Sequence, residues 1–83
     1  LNGTSEEQSK IGKKVAERKL EKGDVVFFAT GRKKRQVTHA GIVTNNARGQ
    51  VWFIHSSTSL GVTEDNLNNS YWSKAYLFGR RVF

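Results

Sequence analysis

Four short runs rich in β-branched and aromatic residues, each bounded by turn-forming residues, constrain this chain more than any other feature. They are VVFFA at 25–29, QVTHAGIVT at 36–44, QVWFIHSS at 50–57 and AYLFGRRVF at 75–83. Such runs read as strands, and consecutive strands joined by a few residues pair antiparallel, because a parallel crossover needs a dozen or more residues. The first run has five apolar residues in succession, the pattern of a strand covered on both faces. Lys22 to Asp24 supplies the turn before it, with Asp24 organising that turn. NNARG, residues 45–49, reads as a five-residue hairpin loop, and GVTEDNLNNSYW, residues 61–72, as a strand end followed by a helical turn. Upstream, Thr4 with Glu7 and Ser5 with Gln8 have capping-box spacing and Gly12 offers a stop, so TSEEQSKIG predicts a short helix. The fold class is α+β: an antiparallel sheet with short helices. Residues 1–83 form one unit, because no repeat, proline-rich linker or low-complexity tract divides them.

At this length the core is modest, since a body of this size buries only about 60–65% of its unfolded surface. No apolar stretch approaches the length of a membrane span. The absence of cysteine excludes disulfides, thiolate metal sites and a thiol nucleophile within the chain. Methionine is also absent, so the chain is expected to be a processed form or a piece of a longer product. The net charge of +7 suits polyanionic surroundings, whether nucleic acid, anionic lipid or an anionic cell wall. Part of it lies in Arg32 to Arg35, the tip between the first two strands, which is either a solvated face or an anion contact.

The chain has two histidines, both in strand-like runs. Alternation places Val37, His39, Gly41 and Val43 on one face and groups Val51, Phe53 and His55 on another strand. With a five-residue loop at 45–49, Val43 pairs with Val51 and His39 falls opposite His55, close enough for the imidazoles to touch. Gly41 would leave open space on that face. A slip of one residue would separate the two rings. Two readings follow: polar core residues hydrogen-bonded to backbone, or a general base with the group that fixes its tautomer. A zinc site lacks a third histidine, with Asp24 only a remote candidate, and no metal or other cofactor is expected. Ser56, Ser57 and Ser59 lie beside His55 but lack a nucleophile-elbow motif or a placed acid.

Four blocks in order, LEKGDVVFF (20–28), THAGIV (38–43), FIHSSTSLGV (53–62) and YWSKAYLFGRRV (71–82), resemble the C-terminal half of the NlpC family of bacterial cell-wall cysteine peptidases. TSEEQSKIGKKV is similar to the segment that precedes the sheet in that family. The resemblance implies a papain-like fold in which a helix bearing the nucleophilic cysteine packs on the sheet. It implies His39 as general base, His55 as third member of a Cys-His-His triad, and the stem peptide of peptidoglycan as substrate. Ser56 and Ser57, which follow His55, either line the substrate groove or are ordinary strand-end hydroxyls. The cysteine would precede Leu1, so the chain is expected to be a partial domain, inactive alone, in a parent of the bacterial envelope or secreted space, with a lipid anchor open. Leu1, Asn2 and Gly3 stand where the family often has Leu-Pro-Arg, and NNARGQVW is longer than its usual turn. The absent half is expected to leave the histidine face incompletely covered, with self-association as the remedy. The competing expectation is a small SH3-like β domain that binds an anionic polymer through Arg32, Lys33, Lys34 and Arg35 without catalysis. The family resemblance calls for neither nucleic acid nor a membrane span.

Overall fold

The computed structural model describes residues 12–30, 36–57 and 60–82. Six strands form one sheet: β1 (Lys13–Val15), β2 (Val25–Phe28), β3 (His39–Ala47), β4 (Gln50–Ser57), β5 (Gly61–Asn66) and β6 (Tyr76–Arg81). Their spatial order is β1-β6-β2-β3-β4-β5, and each neighbouring pair is antiparallel. Helix α1 (Ser70–Ala75) leads directly into β6, and a 3₁₀ turn (Glu17–Lys19) joins β1 to β2. The architecture is α+β and mostly sheet, as the strand-like runs predict. The helix expected over 4–12 and the basic tip at 31–35 fall on residues outside those described, apart from Gly12.

Two elements exceed the sequence reading. β5 is a full strand, and β1 is an additional one. β1 reads KKV and lacks an apolar alternation because it lies at the sheet edge, where lysines discourage further pairing. β2 lies inside the sheet, between β6 and β3, and all four of its residues are buried. Its contiguous apolar run is therefore a consequence of position.

One face of the sheet carries the core. Val26, Phe28, Val43, Val51 and Phe53 project from it and are covered by Leu20, Leu67 and Ala75, with Val15, Trp72 and Tyr76 packed around them. Phe28 is the hub, with ring centroids 5.0 Å from Phe53, 5.0 Å from Trp72 and 6.0 Å from Tyr76. Tilted and edge-on aromatic contacts of this kind add about 0.5–1.5 kcal/mol each to the burial itself. The histidines lie at the end of this face, where the core beside them is covered but the rings border an open cavity. The cover comes from Leu67 and α1, because the chain after β5 folds back over the sheet before entering β6. Three exposed aliphatic side chains, Ile42, Ile54 and Val62, lie on the other face around a groove of about 290 Å³.

A buried carboxylate ties the chain's last strand to the turn before β2. Arg81 donates from Nε to Asp24 Oδ1 at 3.0 Å and from Nη2 to Oδ2 at 2.9 Å, and the Glu21 amide donates to Oδ2 at 2.8 Å. Burial works to raise the Asp24 pKa, but the Arg81 and backbone hydrogen bonds outweigh it and hold the carboxyl below its ordinary value. Asp24 thus organises its turn as expected.

Candidate active site

The β3–β4 hairpin turns on two residues. Arg48 and Gly49 both adopt left-handed backbone, with φ of 55° and 78°, and Ala47 pairs with Gln50 across them. This is the turn geometry that best matches strand twist. The expected five-residue loop is therefore replaced by a longer β3 that includes Asn45, Asn46 and Ala47. Arginine rarely takes a left-handed conformation, so Arg-Gly does not announce such a turn in sequence.

A bulge then decides which residues meet. From the turn, Asn46 pairs with Val51 and Asn45 with Trp52, but the next pair is Val43 with Phe53, so Thr44 is an extra residue. Without that extra residue being absorbed, Val43 would face Ile54 and His39 would project from the opposite face to His55. The register differs from the expected Val43–Val51 pairing by two residues, and a slip of two preserves the face. Continued past Ile42–Ile54, the ladder sets Gly41 opposite His55 and His39 diagonal to it. Gly41 does not leave open space. A Cβ there would lie 2.7 Å from Phe53 Cδ2 and 2.9 Å from the Ile54 carbonyl oxygen, so the glycine admits the Phe53 ring beneath His55.

His39 Nε2 lies 2.9 Å from His55 Nδ1, and the ring centroids are 4.9 Å apart, nearly perpendicular at 84°. On its far side His55 Nε2 lies 2.6 Å from Asp65 Oδ2. The sequence reading did not single out Asp65. β4 and β5 pair without interruption, with His55 opposite Thr63 and Phe53 opposite Asp65, so Asp65 shares the histidine face. Counting the hairpin from Gly61, which has a φ of +74°, would have found it. Trp72 completes the enclosure: its ring stacks on His39 at 5.7 Å and meets His55 edge-on at 4.6 Å. Asn69 caps α1 by accepting from the Tyr71 amide, which fixes the helix that presents Trp72.

His55 is buried, whereas His39 is half-buried and has no hydrogen-bond partner for Nδ1 among the described residues. Burial, and secondarily the electrostatic influence of the neighbouring His55 ring, holds the His39 pKa below its ordinary 6.5, so the imidazole is neutral at physiological pH. The two rings open on a shallow cavity of about 330 Å³ lined also by Thr30, Ser56, Ser57, Tyr71 and Trp72. Ser57 Oγ accepts from the Leu60 amide at 3.2 Å, and Ser56 is exposed at the rim. Asp24 is held by Arg81 and does not contact the histidines. Among the described residues no group of three or more His, Cys, Asp or Glu has metal-binding geometry. A neutral imidazole that lines a cavity, with one nitrogen anchored and the other without a described partner, can accept a proton from a group placed there.

Residues 1–81 match the NlpC/P60 family. The chain belongs to the NlpC/P60 family. A protein named "Murein DD-endopeptidase MepS/Murein LD-carboxypeptidase" from Escherichia coli is 41% identical over 76 residues, which are 92% of this chain and 37% of that protein. A "Probable endopeptidase NlpC homolog" from Haemophilus influenzae is 35% identical over 82 residues, 99% of this chain and 39% of the relative. The crystal structure of an NlpC/P60 family protein from Bacillus cereus superposes with a TM-score of 0.80 at 30% identity, covering 95% of this chain and 25% of that one. The chain therefore spans less than half the length of these NlpC/P60 relatives.

Proposed function

We propose that this chain is the base-carrying part of a peptidoglycan endopeptidase that cleaves stem peptides with a Cys-His-His triad, its cysteine lying on residues outside these 83. The observation that carries this reading is the 2.9 Å contact between the only two histidines of the chain, with both rings lining a cavity. His39 removes the thiol proton, the thiolate attacks the peptide carbonyl, and His39 returns the proton to the leaving amine. His55 holds His39 in orientation throughout. The NlpC/P60 family membership and the endopeptidase names of its relatives support the reaction class, and the positive net charge suits an anionic wall polymer. Ser56 and Ser57, at the rim of the cavity, are proposed to contact the stem peptide. An envelope or secreted location follows from the same reading.

The test incubates muropeptides with the 83-residue chain, with the longer cysteine-bearing chain this reading requires, and with its His39→Ala and His55→Ala variants, and follows released peptide by mass spectrometry. The short chain releases nothing and the longer one cleaves until its thiol is alkylated. His39→Ala loses on the order of 10⁶ in turnover, as triad members do when removed, and His55→Ala loses less. Cleavage by the short chain, or full activity of His39→Ala, would move an anionic-polymer binding domain to first place.

A further inference from the structure

We propose that Asp65 is a positioning residue that, through His55, fixes His39 in the tautomer with its proton on Nε2 and its free lone pair on Nδ1. The proton assignment does not depend on the proposed peptidase function, but its catalytic consequence rests on that reading.

The hydrogen-bond chain has a direction because one end is a carboxylate. An ionised Asp only accepts, so the 2.6 Å contact between Asp65 Oδ2 and His55 Nε2 requires the proton on His55 Nε2. In a neutral imidazole the other nitrogen is then an acceptor. His55 Nδ1 therefore accepts across the 2.9 Å contact, and His39 Nε2 is the donor. The lone pair of His39 is left on Nδ1, the nitrogen with no described partner. A donor in place of Asp65 would drive each assignment the other way and leave His39 Nδ1 carrying a proton, unable to take another.

The geometry holds this order in place. The His55 side chain is only 4% exposed, so water does not compete for its nitrogens, while the 36% exposure of Asp65 suits an ionised carboxylate. Trp72 packs on both rings and Phe53 lies 5.2 Å from His55, so a ring flip, which would put carbons where the hydrogen-bonding nitrogens stand, would have to displace the aromatic cluster. When His39 takes a proton on Nδ1, the positive charge is hydrogen-bonded through His55 to the Asp65 carboxylate. No proton moves beyond His39, and no bond forms or breaks at His55 or Asp65.

The experiment is long-range ¹H–¹⁵N correlation spectroscopy on the ¹⁵N-labelled 83-residue chain above pH 8, where ring nitrogens with and without a proton are resolved. The expected wild-type spectrum shows both rings protonated on Nε2 alone. Asp65→Asn is expected to give mixed or inverted tautomers in both rings, and Asp65→Glu to restore the wild-type pattern; a well-dispersed amide spectrum shows that each is folded. A wild-type His39 protonated on Nδ1 overturns the proposal even if the variants do not fold, as does an Asp65→Asn spectrum identical to wild type. In the longer, active chain, Asp65→Asn should lower kcat about 10- to 100-fold at unchanged KM, the range seen when the partner that orients a metal-ligating histidine is removed. An unchanged kcat overturns the catalytic consequence. If the expected tautomers are found while His39→Ala stays active, the peptidase reading fails and the assignment of the proton stands.

Discussion

The two hairpins that share β4 deliver side chains to one point by different means. The β4–β5 ladder runs through six consecutive pairs, from Ser57–Gly61 to Trp52–Asn66, without interruption, and brings Asp65 to His55 by simple alternation. The β3–β4 ladder starts from a turn with a left-handed arginine and absorbs one residue at Thr44 before its remaining pairs bring His39 alongside. In the regular hairpin, every position follows from the turn. In the bulged one, the site depends on where the extra residue is absorbed, because pairing with period two converts a single residue into a change of face. The contact between the imidazoles is therefore the part of the site most sensitive to chain length in β3.

The largest effect expected from that difference is produced by deleting Ala40. The pairs Val43–Phe53 and Ile42–Ile54 anchor β3 on the C-terminal side, so Gly41 stays opposite His55 while His39 moves opposite Ser56, onto the exposed aliphatic face. It then loses Phe28, Trp72 and His55 together. The expected readout is loss of every cross-ring nuclear Overhauser contact between the histidines, with His39 titrating near its ordinary 6.5. Persistence of the ring contacts would break the register account of the site.

Gly41→Ala tests the same junction without moving the register. Its Cβ would press on the Phe53 ring at 2.7 Å and on backbone at Ile54 at 2.9 Å, and the backbone has little room to yield. Overpacking of this kind costs about 1–3 kcal/mol, which exceeds the roughly 0.4–1 kcal/mol that alanine gains by restricting the unfolded chain. For a domain of this size each kcal/mol lowers the thermal midpoint by about 4–8 °C. An unchanged midpoint would show that Phe53 shifts freely beneath His55, and the rigidity assigned to the histidine pair would have to come from Trp72 alone.

The comparison also explains what was legible in the sequence. The apolar runs gave β2, β4 and β6 because their patterns report burial, and alternation put His39 and His55 on one face. The expected register was wrong by two residues. It still kept the face, because two departures from the expected loop, the tight Arg48–Gly49 turn and the Thr44 bulge, offset each other in parity. Neither carries a sequence signal: arginine is rare in left-handed backbone, and a bulged threonine looks like any other strand residue. Asp65 is legible, since its hairpin is regular from Gly61 onward. Trp72 was not, because nothing in YWSKA says that α1 folds back over the end of β3.

The pH dependence of stability separates the histidine pair from the other buried ionisable group. The folded state lowers the His39 pKa below 6.5, so as pH falls through that value the unfolded chain binds a proton that the folded one does not. Stability should decline as pH drops below about 7 and level off beneath the folded pKa of His39, and His39→Gln should lack this decline. A second loss, retained in that variant, is expected as pH falls below 3.8 through the lowered pKa of Asp24, whose stabilising contribution is present above that value. Urea unfolding across the pH range distinguishes the two. Stability that rises as pH falls through 6.5 would mean that Asp65 stabilises a charged pair more than burial penalises it.

The smallest effect on the site is expected from deleting Thr44, although it also removes one residue from β3. Thr44 is the residue already left out of the ladder, so its loss preserves both Val43–Phe53 and Asn45–Trp52 and converts the bulge into regular pairing. Every residue from His39 to Val43 keeps its partner and its face. What disappears is the hydrogen bond that Thr44 Oγ1 donates to Glu64 Oε2 at 2.6 Å, an exposed contact between β3 and β5 across β4, together with the extra twist a bulge gives its strand. An exposed hydrogen bond contributes about 0.5–1.5 kcal/mol, so the stability loss should stay near that value and below that of Gly41→Ala. The histidine ring contacts and the tautomers of both rings should be those of the wild type. Loss of the ring contacts on deleting Thr44 would mean that the bulge's twist, and not its effect on parity, brings His39 to His55.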